Sequence, residues 1–199
     1  MATAKRLIVG ISGASGAIYG VRTLQAAKKA GVETHLVLTK TAAMTLAYET
    51  DWTVKRVQAL ADVVYSPEDL GAAVSSGSFR TLGMIVAPCS MRSVSEIAYG
   101  NTTGLLTRAA DVQLKEQRRV VLLAREAPLH LGHLRALTQA AEIGAVILPP
   151  VPAFYSRPKT IDDIVNHTVG RALDLFGIET GLVKRWGETP RSKRPVKKR

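Results

Sequence analysis

Apolar residues in this chain fall into short continuous runs separated by longer periodic stretches. Residues 6–11 read Arg-Leu-Ile-Val-Gly-Ile, an apolar and β-branched run that predicts a buried strand. Ser12-Gly-Ala-Ser-Gly16 breaks it. Residues 17–30 then carry a helical pattern, and Gly31 stands where a helix C-terminus needs it. Residues 33–39 predict a second strand, and 40–61 a helical stretch with a break near Asp51. Residues 84–88 predict another buried strand, closed by Pro88. The polar turn Cys89-Ser-Met-Arg-Ser93 and a helix come next. Residues 103–117 read as helix, 119–124 as strand, 129–143 as helix and 145–148 as a last strand before Pro149-Pro-Val-Pro152. The clearest helix is 160–176. Ile161, Ile164, Val165, Thr168, Val169, Ala172, Leu173 and Phe176 recur at helical spacing, and Thr160 with Asp163 forms a capping-box pattern.

Strands alternating with helices, the strands apolar throughout, predict an α/β domain. Its sheet is single, doubly wound and mostly parallel, with helices on both faces in a three-layer sandwich. No internal repeat or linker divides it. The domain is expected over residues 1–188, with a basic tail at 189–199.

Composition narrows the class. The chain has 199 residues, 46% of them hydrophobic and 22% charged, which excludes a disordered protein. Its one cysteine, Cys89, excludes an internal disulfide framework and a cysteine-rich zinc site. No run approaches about 18 apolar residues, so no membrane span is expected. Met1–Arg6 lacks the apolar region of a signal peptide. Together these lead to an expected cytoplasmic location. The net charge of +11 is concentrated at one end: the last eleven residues hold six bases and no acid, leaving 21 bases against 16 acids elsewhere. The tail's composition predicts solvated disorder in preference to nucleic-acid contact.

Doubly wound sheets bind ligands beyond the carboxyl ends of their strands, which singles out four polar turns: 12–16, 39–40, 90–93 and 125–126. The first has glycines at 10, 13 and 16. That spacing is neither the dinucleotide fingerprint nor a P-loop. It still permits close backbone approach before a helix N-terminus, a phosphate-binding arrangement. No acidic ribose clamp follows the second strand, which favours a mononucleotide such as FMN over NAD. Ser90, Arg92 and Ser93 repeat the arrangement. Arg125 and Glu126 would hold a phosphate and a proton donor together, or form a surface ion pair. His130 and His133 could share a helix face, but no third ligand is evident, so no metal is expected. Cys89 reads as a packed residue and not as a nucleophile.

Gly10-Ile-Ser-Gly-Ala-Ser-Gly-Ala-Ile-Tyr-Gly20, Pro88-Cys-Ser-Met91, Gly104-Leu-Leu-Thr-Arg-Ala-Ala-Asp111, Arg125-Glu-Ala-Pro-Leu-His130 and Pro149-Pro-Val-Pro-Ala-Phe-Tyr155 occur in series. In this combination the chain resembles the flavin prenyltransferase family (UbiX type) from about Lys5 to Trp186. The resemblance implies a flavodoxin-like sandwich, consistent with the pattern above. It also implies transfer of a dimethylallyl group from dimethylallyl monophosphate to N5 and C6 of reduced FMN, without metal. The product, prenylated FMN, would serve a UbiD-type decarboxylase, and the family assembles as a dodecamer with sites at subunit contacts. Carried over residue by residue, FMN contacts fall on Gly13, Ala14, Ser15, Thr39, Ser90, Met91, Arg92, Ser93 and Arg125. Allyl phosphate contacts fall on Tyr155, Arg171 and Lys115. Catalytic positions fall on Ser15, Glu126, Lys115, Arg108 and Trp186.

Three departures from the family pattern stand out. Thr39 replaces a common Ser, and Arg92-Ser93 replaces a common Lys-Thr, with the hydroxyls and charge kept. The basic tail lies outside the pattern. The alternatives are a flavin-dependent decarboxylase of the phosphopantothenoylcysteine type, or a flavin-binding subunit without activity. The first carries a Pro-Ala-Ser-Ala-Asn-Thr-like segment and an early catalytic His, both missing here. The second would have lost Glu126 or Tyr155, and both are present.

Overall fold

The computed structural model describes residues 5–187, so the basic tail and the domain boundary expected at 188 lie outside the described residues. Six strands form one parallel sheet: β1 (Arg6–Ile11), β2 (Glu33–Leu38), β3 (Val63–Tyr65), β4 (Gly83–Cys89), β5 (Arg119–Ala124) and β6 (Val146–Ile147). The helices are α1 (Ala17–Lys29), α2 (Lys40–Glu49), α3 (Val54–Gln58), α4 (Met91–Ala98), α5 (Leu105–Lys115), α6 (Leu131–Glu142) and α7 (Ile161–Asp174). Strand order is β3-β2-β1-β4-β5-β6. This is the Rossmann order. Without the three-residue edge strand β3, the other five keep the flavodoxin order, so both descriptions apply.

Alternation along the strands divides the core into two layers. Leu7, Val9 and Ile11 of β1 pack with Ala17, Val21 and Leu24 of α1 and Val165, Val169 and Leu173 of α7. Ile8 points the other way, into a layer with Met84, Val94 and Ile97, Leu105 and Ala109, and Ala136 and Ala140. Leu7 and Leu122 are fully buried, one in each layer. Truncating either to alanine would cost about 2–5 kcal/mol.

The predicted elements are present, with differences at their ends. The stretch 40–61 does break near Asp51, into α2 and α3. The capping box forms: Thr160 accepts from the Asp163 N–H while the Asp163 side chain reaches back to the N-cap. Strand β3 was not expected, because three half-exposed residues carry too little pattern. Pro88 does not close β4 but sits inside it, where the pairing with β5 shifts register between Val86 and Cys89. A bulge is where a strand tolerates a residue without an N–H. At the other end of β4, Gly83 has φ +133, and a Cβ there would collide with the Arg119 carbonyl.

Candidate active site

The winding of the sheet reverses between β1 and β4, which opens a crevice beyond their carboxyl ends. The four polar turns meet there and are bonded to one another. Ser12 is buried. Its hydroxyl donates to the Pro88 carbonyl at 3.0 Å and accepts from the Ser90 N–H at 2.7 Å. The Thr39 N–H donates to the Ile11 carbonyl, and the Arg125 N–H to that of Cys89, both at 3.0 Å. Gly13 lies against Thr41, where a Cβ would come within 2.5 Å of the threonine side chain.

The Gly-rich turn delivers the chain into α1 through Gly16, at φ +101. The N–H groups of Gly16 and Ala17 do not stand open for an anion. Both donate to one carboxylate oxygen of Glu49, from the last turn of α2, at 2.7 and 3.2 Å. Burial works against the ionised carboxylate. Hydrogen bonds from Ser15, Gly16 and Ala17, with the Arg125 charge, outweigh it and hold the Glu49 pKa below its ordinary value. This end of α1 already has its anion.

The other side of the crevice is different. A cavity of about 300 Å³ is lined from the starts of α2, α4 and α5, by residues that include Thr39, Lys40, Ser90, Arg92, Ser93 and Gly104. Hydroxyls cap two of these helices: Thr39 accepts from the Ala42 N–H at 3.1 Å, and Ser90 from that of Ser93 at 3.3 Å. Neither helix has an acid in its first turn. Converging N-termini, hydroxyls and two cations form a donor set suited to a phosphate monoester, so the residues present fit the FMN phosphate. Each cation is paired at 2.8 Å, Lys40 with Glu68 and Arg92 with Glu96. Glu96 is further held by the hydroxyls of Thr103 and Thr107.

Arg125 and Glu126 follow β5 at the rim and do not form an ion pair. The Glu126 carboxylate accepts from the Ala127 N–H at 3.1 Å and is otherwise exposed. The Arg125 charge bears on Glu49 and on Tyr19 of α1, whose own hydroxyl bonds to Thr168 of α7. Beyond Thr168, Tyr155 lies with its hydroxyl 3.2 Å from Nε2 of His167, and Trp186 meets the Tyr155 ring edge to face at 5.6 Å.

The expected site residues divide into two sets. Gly13, Ala14, Ser15, Thr39, Ser90, Met91, Arg92, Ser93, Arg125 and Glu126 lie on the turns around the crevice, and Tyr155 with Trp186 forms a neighbouring aromatic group. Lys115 does not join them within one chain. It ends α5, which runs back across the sheet, and it pairs with Glu116 just before β5 begins. The six-residue strand β5 separates it from Arg125, about 20 Å at strand rise. Arg108 lies partway down α5, paired with Asp111 at 2.9 Å, and Arg171 pairs with Asp174 near the end of α7. Cys89 is fully buried, and burial pushes its thiol pKa far up, which suits a packed residue. His130 caps α6, its Nδ1 accepting from the His133 N–H at 3.3 Å, and the two rings stack. Sequence reasoning missed Glu49, Tyr19, Glu96 and His167. Tyr19 stood inside a quoted motif. The other three lie at helix positions where polar residues are ordinary, and no local pattern marks them.

Comparison with known proteins agrees with this geometry. The model of the Flavoprotein family matches residues 1–173. The flavin prenyltransferase UbiX of Escherichia coli strain K12 is 60% identical over 185 residues, covering 92% of this chain and 98% of that protein. Among solved structures, AnUbiX (PadA1) in complex with FMN and dimethylallyl pyrophosphate superposes with a TM-score of 0.91 at 49% identity, covering 94% of this chain and 99% of that one. A dodecameric FMN-dependent UbiX-like decarboxylase from Escherichia coli O157:H7 gives 0.89 at 50% identity, covering 91% and 98%. With sheet, crevice and relatives in agreement over nearly its whole length, the chain belongs to the flavin prenyltransferase (UbiX) family of flavoproteins.

Proposed function

We propose that this chain is a metal-independent prenyltransferase that moves a dimethylallyl group from dimethylallyl monophosphate to N5 and C6 of reduced FMN. The observation that carries the reading is 60% identity to a flavin prenyltransferase across 92% of the chain. The crevice supports it, with a phosphate-suited pocket at the starts of α2, α4 and α5. When bound, reduced FMN supplies the electron-rich ring that accepts the allyl carbon. The protein's share is binding, orientation and charge. Thr39, Ser90, Arg92 and Ser93 hold the flavin phosphate. Gly13, Ala14, Ser15 and Met91 lie along the flavin, with Arg125 at the rim and Ser15 steadied by Glu49. Tyr155 and Arg171 hold the allyl phosphate. Glu126 passes a proton to that phosphate as it departs, which relieves the charge developing there. Trp186 keeps the allyl group in apolar, π-rich surroundings.

In this reading Lys115 and Arg108 serve the site of a neighbouring copy, because one chain keeps Lys115 at the far end of the sheet. Val151, Phe154, Ile161 and Trp186 are each more than two-thirds exposed, an apolar surface of the kind that subunit contacts cover. Assembly as a homo-oligomer follows, with a dodecamer as the expected form. Light scattering that showed a fully active 21 kDa monomer would overturn it. The product would pass to a UbiD-type decarboxylase. A cytoplasmic location is part of this proposal; separately, among the described residues no helix is long and apolar enough to cross a membrane. Mass spectrometry of flavin recovered after incubation with reduced FMN and dimethylallyl monophosphate tests the central claim. A flavin heavier by one dimethylallyl group is expected, and unchanged FMN would refute it.

A further inference from the structure

Arg92 stands in the first turn of α4, where a Lys is common in the family, and Glu96 follows it one turn later. For the helix alone this pair is poorly placed. A base followed four residues on by an acid runs against the helix dipole, and it is the weaker of the two orders. Glu96 is nevertheless the firmly held partner, its side chain 15% exposed against 76% for Arg92. Its two oxygens have separate partners. Oε2 accepts from the hydroxyls of Thr103 at 2.9 Å and Thr107 at 3.2 Å, which anchors the carboxylate to the start of α5. Oε1 accepts from Nε of Arg92 at 2.8 Å. All four residues line the cavity at the starts of α2, α4 and α5.

Nε is the inner donor of the guanidinium. With Nε on Glu96, Nη1 and Nη2 have no protein partner among the described residues. Those two nitrogens form a planar fork that matches two oxygens of a phosphate. We propose that Glu96 is a positioning residue for flavin recognition: by holding Nε it aims the Nη1–Nη2 fork of Arg92 at the FMN phosphate. A lysine has a single ammonium, and one drawn to Glu96 is drawn away from the phosphate, so the arginine and Glu96 belong together. This rests on the reading above that the FMN phosphate lies in this cavity. The Glu96 charge itself opposes that anion, so positioning and repulsion predict opposite effects when the carboxylate is removed.

The test is a set of flavin fluorescence titrations on the full chain, with FMN and with riboflavin, which lacks the phosphate. Glu96→Ala should weaken FMN binding about tenfold, the lower end for a hydrogen bond to a charged group, and leave riboflavin unchanged. Glu96→Gln, whose carbonyl still accepts from Nε, should stay within about threefold of the parent. Arg92→Lys alone should also lose about tenfold, since the ammonium is held at Glu96. In the Glu96→Ala background, lysine and arginine at position 92 should differ by less than about threefold, a non-additive cycle. Arg92→Lys leaves Glu96 in place, so it decides the matter if the alanine chain does not assemble. Tighter FMN binding by Glu96→Ala would mean that the carboxylate only repels the phosphate. Equal losses for FMN and riboflavin would make it a structural tie between α4 and α5. Either result overturns the inference, as does an Arg92→Lys chain that binds FMN like the parent. If Ser90→Ala and Arg92→Gln both leave FMN affinity unchanged, the phosphate lies elsewhere and the inference falls with that reading.

Discussion

Two helix N-termini face each other across the crevice, and they are finished differently. At α1 the Gly-rich turn supplies the N–H groups, and Glu49 of the same chain occupies them. At α4 the cap is a hydroxyl, and the first turn holds no acid; it holds Arg92, whose guanidinium pairs with Glu96 one turn on. Sequence patterning offers the phosphate both the Gly-rich turn and the turn at 90–93, because each precedes a helix N-terminus. Here the Gly-rich site is filled from within. The glycines serve close packing instead, Gly13 against Thr41 and Gly16 at positive φ. A helix end whose N–H groups already hold a carboxylate has little attraction left for a second anion, which is why the proposed reading puts the phosphate on the α2–α4 side.

The crevice also holds two contrasting carboxylates. Glu49 is bound by two backbone N–H groups and by Ser15, while Glu126 holds only the adjacent Ala127 N–H. A carboxylate used for proton delivery must be free to change partner, and only Glu126 is. Glu126→Gln should therefore lower the single-turnover rate by about 10²–10⁴-fold and leave FMN affinity nearly intact. Parent-like turnover in that variant would end its catalytic assignment.

A smaller effect separates the two helix ends. Ser90→Ala or Arg92→Gln should weaken FMN binding about tenfold and leave riboflavin, which lacks the phosphate, unchanged. The Arg92→Gln loss should shrink at high salt. Flavin fluorescence titrations read both. Equal losses for FMN and riboflavin would move the phosphate away from α4.

The smallest effect concerns stability. Glu49→Gln removes a charge from the α1 N-terminus and should cost about 0.3–1 kcal/mol near neutral pH. Because the folded pKa of Glu49 lies below its ordinary 4.5, the stabilisation is complete above that value and is lost as pH falls through the folded one. Thermal melts of parent and variant should converge in acid. A constant difference down to the lowest pH would show that the carboxylate's charge is not what holds the turn.

Local pattern determined much of this protein. Five of the six strands, the break near Asp51, the Thr160 capping box and the turns at 12–16, 39–40, 90–93 and 125–126 are all legible in the chain. Side-chain period and turn chemistry act over a few residues, and the carboxyl-end rule turns an element order into a site. Tertiary structure decided the rest. It set Glu49 on Gly16 across 33 positions, joined Ser12 to Ser90 across 78, and placed His167 behind Tyr155. It also carried Lys115 to the far end of β5, although the family pattern had set it among the site residues. A polar side chain at an ordinary helical position carries no local mark of its partner. Which N–H it satisfies, and at which end of the sheet it stands, depends on the direction each helix takes across that sheet.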